Sequence, residues 1–229
     1  DDTIEGREGN DVLYGLQGDD VMYGGDGNNW LYGNQGNDTL HGGSSYDDLY
    51  GDEGDDELYG GAGHDYLYGG FGADILYGAD GDDVLYADEP GGWHYTDPVD
   101  NDMLYGGAGN DRLHAGSGQD TLDGGDGDDE LYGTIESILI GGNGNDKLYG
   151  GATQDGGAGN DTLTLDYGTV ATGGDGNDTF VIREFYLYEG QEAVVTDFKS
   201  GEDKIDVSLL LNPGTLPSYQ GGNPFEQKF

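Results

Sequence analysis

The sequence has no cysteine. That excludes disulfides and thiolate metal sites and suits a chain exported unfolded, although it is compatible with any compartment. Basic residues are almost as scarce: 7 Lys and Arg stand against 48 Asp and Glu, a formal charge of -41. Nucleic acid and anionic membrane surfaces both require a basic footprint, so neither is expected as a partner; cations are. Only 33% of the residues are hydrophobic, and no apolar run approaches the roughly 20 residues that span a bilayer, so no membrane insertion is expected. The opening DDTIEGREGND lacks the basic and apolar regions of a signal peptide. Catalytic signatures are missing too: there is no HExxH, no GxSxG and no Cys–His arrangement. The four histidines are scattered, with His41 and His114 replacing tyrosines, His64 in a turn and His94 in an inserted segment, which argues against a zinc or catalytic role. No enzyme is expected in this chain.

What the sequence does have is 49 glycines and a nine-residue period. From Gly6 the repeats run without a gap: GREGNDVLY, GLQGDDVMY, GGDGNNWLY, GNQGNDTLH, GGSSYDDLY, GDEGDDELY, GGAGHDYLY, GGFGADILY and GADGDDVLY, ending at Tyr86. The segment Ala87–Tyr105 carries an insertion over about 87–100 around DEPGGWHYTDPV, and the register resumes at Asn101. GGAGNDRLH, AGSGQDTLD and GGDGDDELY follow. Glycines at positions one, two and four permit positive φ and expose carbonyls at a tight turn. In a strand over positions seven to nine, alternation turns the eighth residue inward and the seventh and ninth outward. The inward set is Leu13, Met22, Leu31, Leu40, Leu49, Leu58, Leu67, Leu76, Leu85, Leu104, Leu113, Leu122, Leu131, Leu148, Leu163 and Phe180. One apolar residue in nine cannot fold a chain unaided.

The pattern G-G-x-G-x-D-x-U-x resembles the RTX (hemolysin-type calcium-binding) repeat over most of residues 1–181. The resemblance implies an all-β fold, a right-handed parallel β-roll (β-solenoid) with two nonamers per coil, each giving a six-residue calcium-binding turn and a three-residue strand. A hard cation takes carboxylate and carbonyl oxygens, the donors this composition supplies.

With two nonamers per coil, sixth positions eighteen apart stack into two columns. The first reads Asp11, Asn29, Asp47, Asp65, Asp83, Asp111, Asp129, Asp146, Asp161 and Asp178; the second reads Asp2, Asp20, Asp38, Asp56, Asp74, Asp102 and Asp120. Asp2 falls in register, so further repeats are expected upstream in a parent protein. Asn29 keeps an oxygen but loses a charge, which points to weaker sites beside it. After residue 132, GTIESILI (Gly133–Ile140), GATQD (Gly151–Asp155) and LDYGTVAT (Leu165–Thr172) break the second column while intact repeats continue the first. One edge is thus expected to keep its ions and the other to close with ordinary side chains. Ions between successive coils number roughly 14 at most, with six or more oxygens each. Carboxylates stacked about 5 Å apart repel by about 0.8 kcal/mol per pair even at water's dielectric, so folding and calcium binding are expected to be one event. The regular spacing separates this pattern from a merely solvated acidic face. Paired carboxylates of a glycosidase would not recur in register.

VVTDFKSGEDKIDVS (Val194–Ser208) is similar to the segment closing the β-roll of serralysin-type metalloproteases and alginate epimerases. Phe180, Ile182, Phe185, Val194, Val195, Phe198, Ile205 and Val207 are expected to cover the end of the solenoid. Residues 182–229 then form a cap and a candidate tail for type I secretion, and the resemblance implies a secreted protein of a bacterial surface or the medium.

Ninth positions carry Tyr14, Tyr32, Tyr50, Tyr68, Tyr86, Tyr132 and Tyr149 on one face and Tyr23, Tyr59, Tyr77 and Tyr105 on the other; seventh positions add Val12, Trp30, Tyr66 and Val84. Such ladders stabilise strands, and a contiguous patch also offers a docking surface, centred on Tyr14, Trp30, Tyr32, Tyr50, Tyr66, Tyr68 and Tyr86. Three functions stay open: the accessory module of an exported enzyme, a surface or matrix protein that self-associates or adheres, and a glycan binder.

Overall fold

The computed structural model describes residues 1–88, 100–183 and 192–211. The chain coils through two eleven-stranded parallel sheets, consecutive strands falling alternately in one and the other. One sheet begins at Thr3–Glu8 and ends at Val194–Val195; the other begins at Val12–Gln17 and ends at Lys204–Asp206. Below they are the Thr3 sheet and the Val12 sheet. Strand pairing follows the repeat, with Leu13 opposite Leu31, Leu31 opposite Leu49 and Leu40 opposite Leu58. Across the insertion Leu85 still lies opposite Leu113 and Leu76 opposite Leu104. The insertion, with His94, falls mostly outside the described residues. Among the described residues no helix is long and apolar enough to cross a membrane.

Strands are longer than the repeat alone implies. In most repeats before the insertion they run from position seven through position three of the next nonamer, as in Val12–Gln17 and Trp30–Gln35. The three-residue strand appears later in the Val12 sheet, at Arg112–His114, Glu130–Tyr132 and Lys147–Tyr149. The bend within the long strands sits at position two, which takes left-handed φ even where it is not glycine: Arg7 82°, Asn34 76°, Asp52 74°. The ladder thus continues around the corner, and only positions four to six form the turn.

Between the sheets lies a single file of side chains. Met22 and every inward leucine from Leu31 to Leu163 are fully buried, as is Phe180; Leu13 is half-buried against the same core. A buried leucine contributes about 1.5–3 kcal/mol, and here one such residue serves nine whose backbone freedom is lost. Toward the C-terminus the Thr3 sheet turns in Leu139, Gln154 and Ala171. The buried Gln154 donates through Nε2 to the carbonyls of Thr164 (2.9 Å) and Gly150.

The end of the roll differs from the expected apolar lid. Phe198, Ile205 and Val194 are themselves exposed, although the Phe198 ring tilts against the core Phe180 at 6.2 Å, and of the expected set Phe180 and the half-buried Val195 join the core cluster; Phe185 lies outside the described residues. Much of the closure is polar. Asp197 accepts the N–H groups of Gly173 (2.9 Å) and Gly174 (2.8 Å), and the Lys199 ammonium donates to the Gly174 carbonyl (2.6 Å). The reason is geometric: the last coil presents backbone edges, and these need partners more than the thin core needs cover. The candidate secretion tail, 209–229, lies outside the described residues from residue 212 onward.

Candidate metal centre

Every sixth-position residue falls into one of the two columns. Within a column, Oδ1 of each residue accepts the backbone N–H of its counterpart one coil earlier: Asp20 to Asp38 2.6 Å, Asp47 to Asp65 2.8 Å, Asp65 to Asp83 2.7 Å, Asp56 to Asp74 and Asp74 to Asp102 2.8 Å, Asp83 to Asp111 and Asp111 to Asp129 2.7 Å, Asp102 to Asp120 3.1 Å. The first column continues through Asp146, Asp161 and Asp178. It does not stop there: Asp178 donates to Asp203 at 3.1 Å, so Asp203 of the closing segment occupies one more sixth position. Asp2 starts the second column through its N–H on Asp20 but is exposed. Where that column loses its aspartates, Ser137 and Thr169 are buried, their hydroxyls bonded to Thr134 N–H (3.0 Å) and the Gly151 carbonyl (3.0 Å).

The second carboxylate oxygen carries the chemistry. Among the described residues Oδ2 is buried without a hydrogen-bond partner in Asp11, Asp20, Asp38, Asp47, Asp56, Asp65, Asp74, Asp83, Asp102, Asp111, Asp120, Asp129, Asp146 and Asp161. Except in Asp102 and Asp120, each borders the room left by the glycine at position one. A Cβ on Gly78 would lie 2.5 Å from Asp83 Oδ2 and 2.6 Å from the Gly106 carbonyl; one on Gly60 would lie 2.6 Å from Asp65 Oδ2 and 3.0 Å from the Gly78 carbonyl. Position one is therefore glycine for space rather than for positive φ, which positions two and four adopt. Anionic and carbonyl oxygens converge with no donor between them.

Asn29 shows what such a place requires. Its Oδ1 accepts Asp11 N–H at 3.0 Å, which fixes the amide orientation, and its Nδ2 stands where other repeats have Oδ2. That nitrogen donates to the position-four carbonyl of Gly27 at 2.9 Å. An amide proton thus fills the role that the aspartates leave open, and the amide oxygen is already engaged. Elsewhere oxygen faces oxygen, an arrangement that fits a hard cation. Among the described residues no three His, Asp or Glu side chains gather at one point; each coil edge offers one buried carboxylate with backbone carbonyls.

Burial drives the column carboxyls from Asp38 to Asp178 upward, with help from charged neighbours and against the pull of the N–H each accepts. Asp74 is pushed up to about 9, Asp111 to about 8, Asp56, Asp65, Asp102 and Asp161 to about 7, and Asp47, Asp129 and Asp146 to about 6. In the metal-free chain protons are the alternative to metal.

A second ladder, not anticipated from the sequence, lies beside the first. Fifth-position side chains accept N–H groups from the following coil: Asn10 from Asn28 (3.0 Å), Asp19 from Asn37 (2.9 Å), Asn110 from Asp128 (2.8 Å). His64 belongs to it, taking Asp82 N–H on Nδ1 at 2.8 Å. The recurrent Asn or Asp before each sixth-position residue was the available signal.

The family model for the RTX calcium-binding nonapeptide repeat matches residues 1–31, 32–67, 59–89, 99–134, 137–163 and 153–169. The chain belongs to this family. No curated protein matches it. The RTX repeat is a calcium-binding structural element, which agrees with oxygen-only donors in this chain.

The outward aromatic residues form two stacks. On the Val12 sheet Tyr14, Tyr32, Tyr50, Tyr68, Tyr86, His114, Tyr132 and Tyr149 follow one another with centroids 4.5–5.2 Å apart and planes within 10°. On the Thr3 sheet Tyr23, His41, Tyr59, Tyr77 and Tyr105 stack at 4.7–5.1 Å with planes within 13°. Trp30 and Tyr66 do not join them. They flank Asp48 in the seventh-position row, where Tyr46 donates to Asp48 at 3.2 Å and tilts against Tyr66.

Two outcomes are expected. Because folding raises these carboxyl pKa values, protons stabilise the metal-free roll below the unfolded value of about 4. That stability is lost as pH rises through the range of about 6 to 9. Circular dichroism in EGTA should show β structure gained on acidification, and an unchanged signal between pH 9 and pH 4 contradicts this. Asn29→Asp should add one calcium to the count in native mass spectrometry; an unchanged count contradicts the role given to the amide.

Proposed function

We propose that the chain is a secreted structural module that folds on binding calcium and serves as an accessory part of an exported protein. The observation that carries this reading is the double column of buried, partnerless Oδ2 atoms, most of them beside a backbone carbonyl of the next coil in the space of a position-one glycine. One ion per such oxygen gives roughly 14 at most. Asp11, Asp20, Asp38, Asp47, Asp56, Asp65, Asp74, Asp83, Asp102, Asp111, Asp120, Asp129, Asp146 and Asp161 would hold them with backbone carbonyls, and bound calcium would supply charge neutralisation and cross-coil links. The family's usual setting supports export: a chain that cannot fold without calcium stays unfolded where calcium is scarce and folds where it is plentiful.

The aromatic stacks bear on the other readings. Each inner ring has both faces covered by its neighbours, so edges and hydroxyls are what a partner meets. That favours strand reinforcement or contact with another protein surface over sugar rings, which stack on aromatic faces.

Far-ultraviolet circular dichroism at neutral pH tests the reading. We expect a largely disordered chain in EGTA and a β-rich one after calcium is added; the same spectrum in both contradicts it.

A further inference from the structure

The tyrosine stacks hold phenol rings of successive coils side by side, and in two places a hydrogen bond to a carboxylate anchors the phenol. Tyr132 donates to Glu130 Oε2 at 3.0 Å, and its ring lies 4.9 Å from that of Tyr149 at 9°. Tyr59 donates to Glu57, and its ring lies 4.9 Å from that of Tyr77 at 8°. In both cases the acid occupies the seventh position and the phenol the ninth, so alternation places them on one outer face. The paired tyrosines come from successive coils, joined through strands rather than through nearby sequence: Tyr132 opposite Tyr149, Tyr59 opposite Tyr77.

We propose that Tyr132–Tyr149 and Tyr59–Tyr77 are sites of dityrosine formation that covalently staple neighbouring coils. The co-reactant is a peroxide acting through a one-electron oxidant of the haem peroxidase class. Each phenol loses one electron and one proton, the proton passing to solvent water. The two phenoxyl radicals join through their ortho carbons. The two ring hydrogens shift to the phenol oxygens as aromaticity returns. One peroxide takes up the two electrons and two protons and leaves as two waters. The side chains must turn so that ring edges meet, which their anchors, one strand spacing of about 4.8 Å apart, allow. In a disordered chain the same residues lie 17 and 18 positions apart with nothing to align them. The staple therefore records the folded state, and a cross-link between coils restricts the unfolded ensemble as a disulfide does.

The inference rests on the calcium-dependent fold, and its test separates the two. The whole chain is treated with peroxidase and hydrogen peroxide in calcium and in EGTA, then digested and mapped. In calcium we expect dityrosine fluorescence, a loss of two hydrogens per link, and links at Tyr132–Tyr149 and Tyr59–Tyr77. We expect those links to be lost in EGTA. Tyr149→Phe with Tyr77→Phe keeps the stacked rings and should abolish both links while leaving the calcium-form spectrum unchanged. The linked chain should keep β structure when calcium is then removed. Links only between chains, links elsewhere, the same links in an EGTA sample shown to be disordered, or loss of β structure from the linked chain in EGTA would each overturn the proposal. If the unoxidised chain is already β-rich in EGTA, the calcium reading fails instead, and the mapped positions still decide whether the stacks direct coupling.

Discussion

Oxygen facing oxygen without a proton between them is the constraint on which this structure depends. At most aspartate turns a buried carboxylate oxygen lies near a backbone carbonyl of the next coil, as Asp83 Oδ2 and the Gly106 carbonyl both border the space at Gly78. Left alone, the arrangement is repulsive and desolvated, and it raises the affinity of the carboxyls for protons. A bound cation or a proton would resolve it. Asn29 resolves its own turn with an amide proton, and at the end of the roll the Lys199 ammonium rests on the Gly174 carbonyl. Among the described residues the Thr169 hydroxyl donates to the Gly151 carbonyl, whereas the buried Oδ2 atoms of the aspartate turns meet no donor.

The other features follow from this one. A core of one leucine per nonamer suffices because the edges, not the interior, are meant to hold the coils together. Glycine at position one leaves space for Oδ2, and left-handed backbone at position two lets the strand ladder run around the bend. Two side-chain ladders of opposite sense fix the register of the turns: sixth-position carboxylates reach back one coil for an N–H, and fifth-position groups take an N–H from the coil ahead. The tyrosine stacks add a third set of cross-coil contacts on the outside. Aromatic pairs of this kind contribute about 0.5–1.5 kcal/mol each beyond burial.

Much of this was legible in the sequence because the period is explicit. Met22 and Leu31 to Phe180 could be placed inside from position eight alone, and Asp20 to Asp178 in columns from position six. What escaped the sequence were features that depend on which atom faces which. Asn29 looks like a weaker ligand until its oxygen is seen to be engaged and its nitrogen to occupy the critical place. Position one looks like a φ requirement until the missing Cβ is seen to make the room. Asp203 lies in a segment where the nonamer spacing has lapsed, so its column shows only in the Asp178 N–H it accepts and in the pairing of Lys204 with Thr179. The closing segment reads as apolar from Phe198 and Ile205, yet its aspartates and lysine do much of the closing, since the last coil has backbone groups to satisfy.

The most direct measurement is an anomalous difference map from crystals of the calcium-loaded chain, collected at a wavelength where calcium scatters anomalously. The account predicts discrete peaks beside the Oδ2 atoms of both columns and none at the Asn29 turn. An intact roll with no peaks beside those oxygens would contradict it.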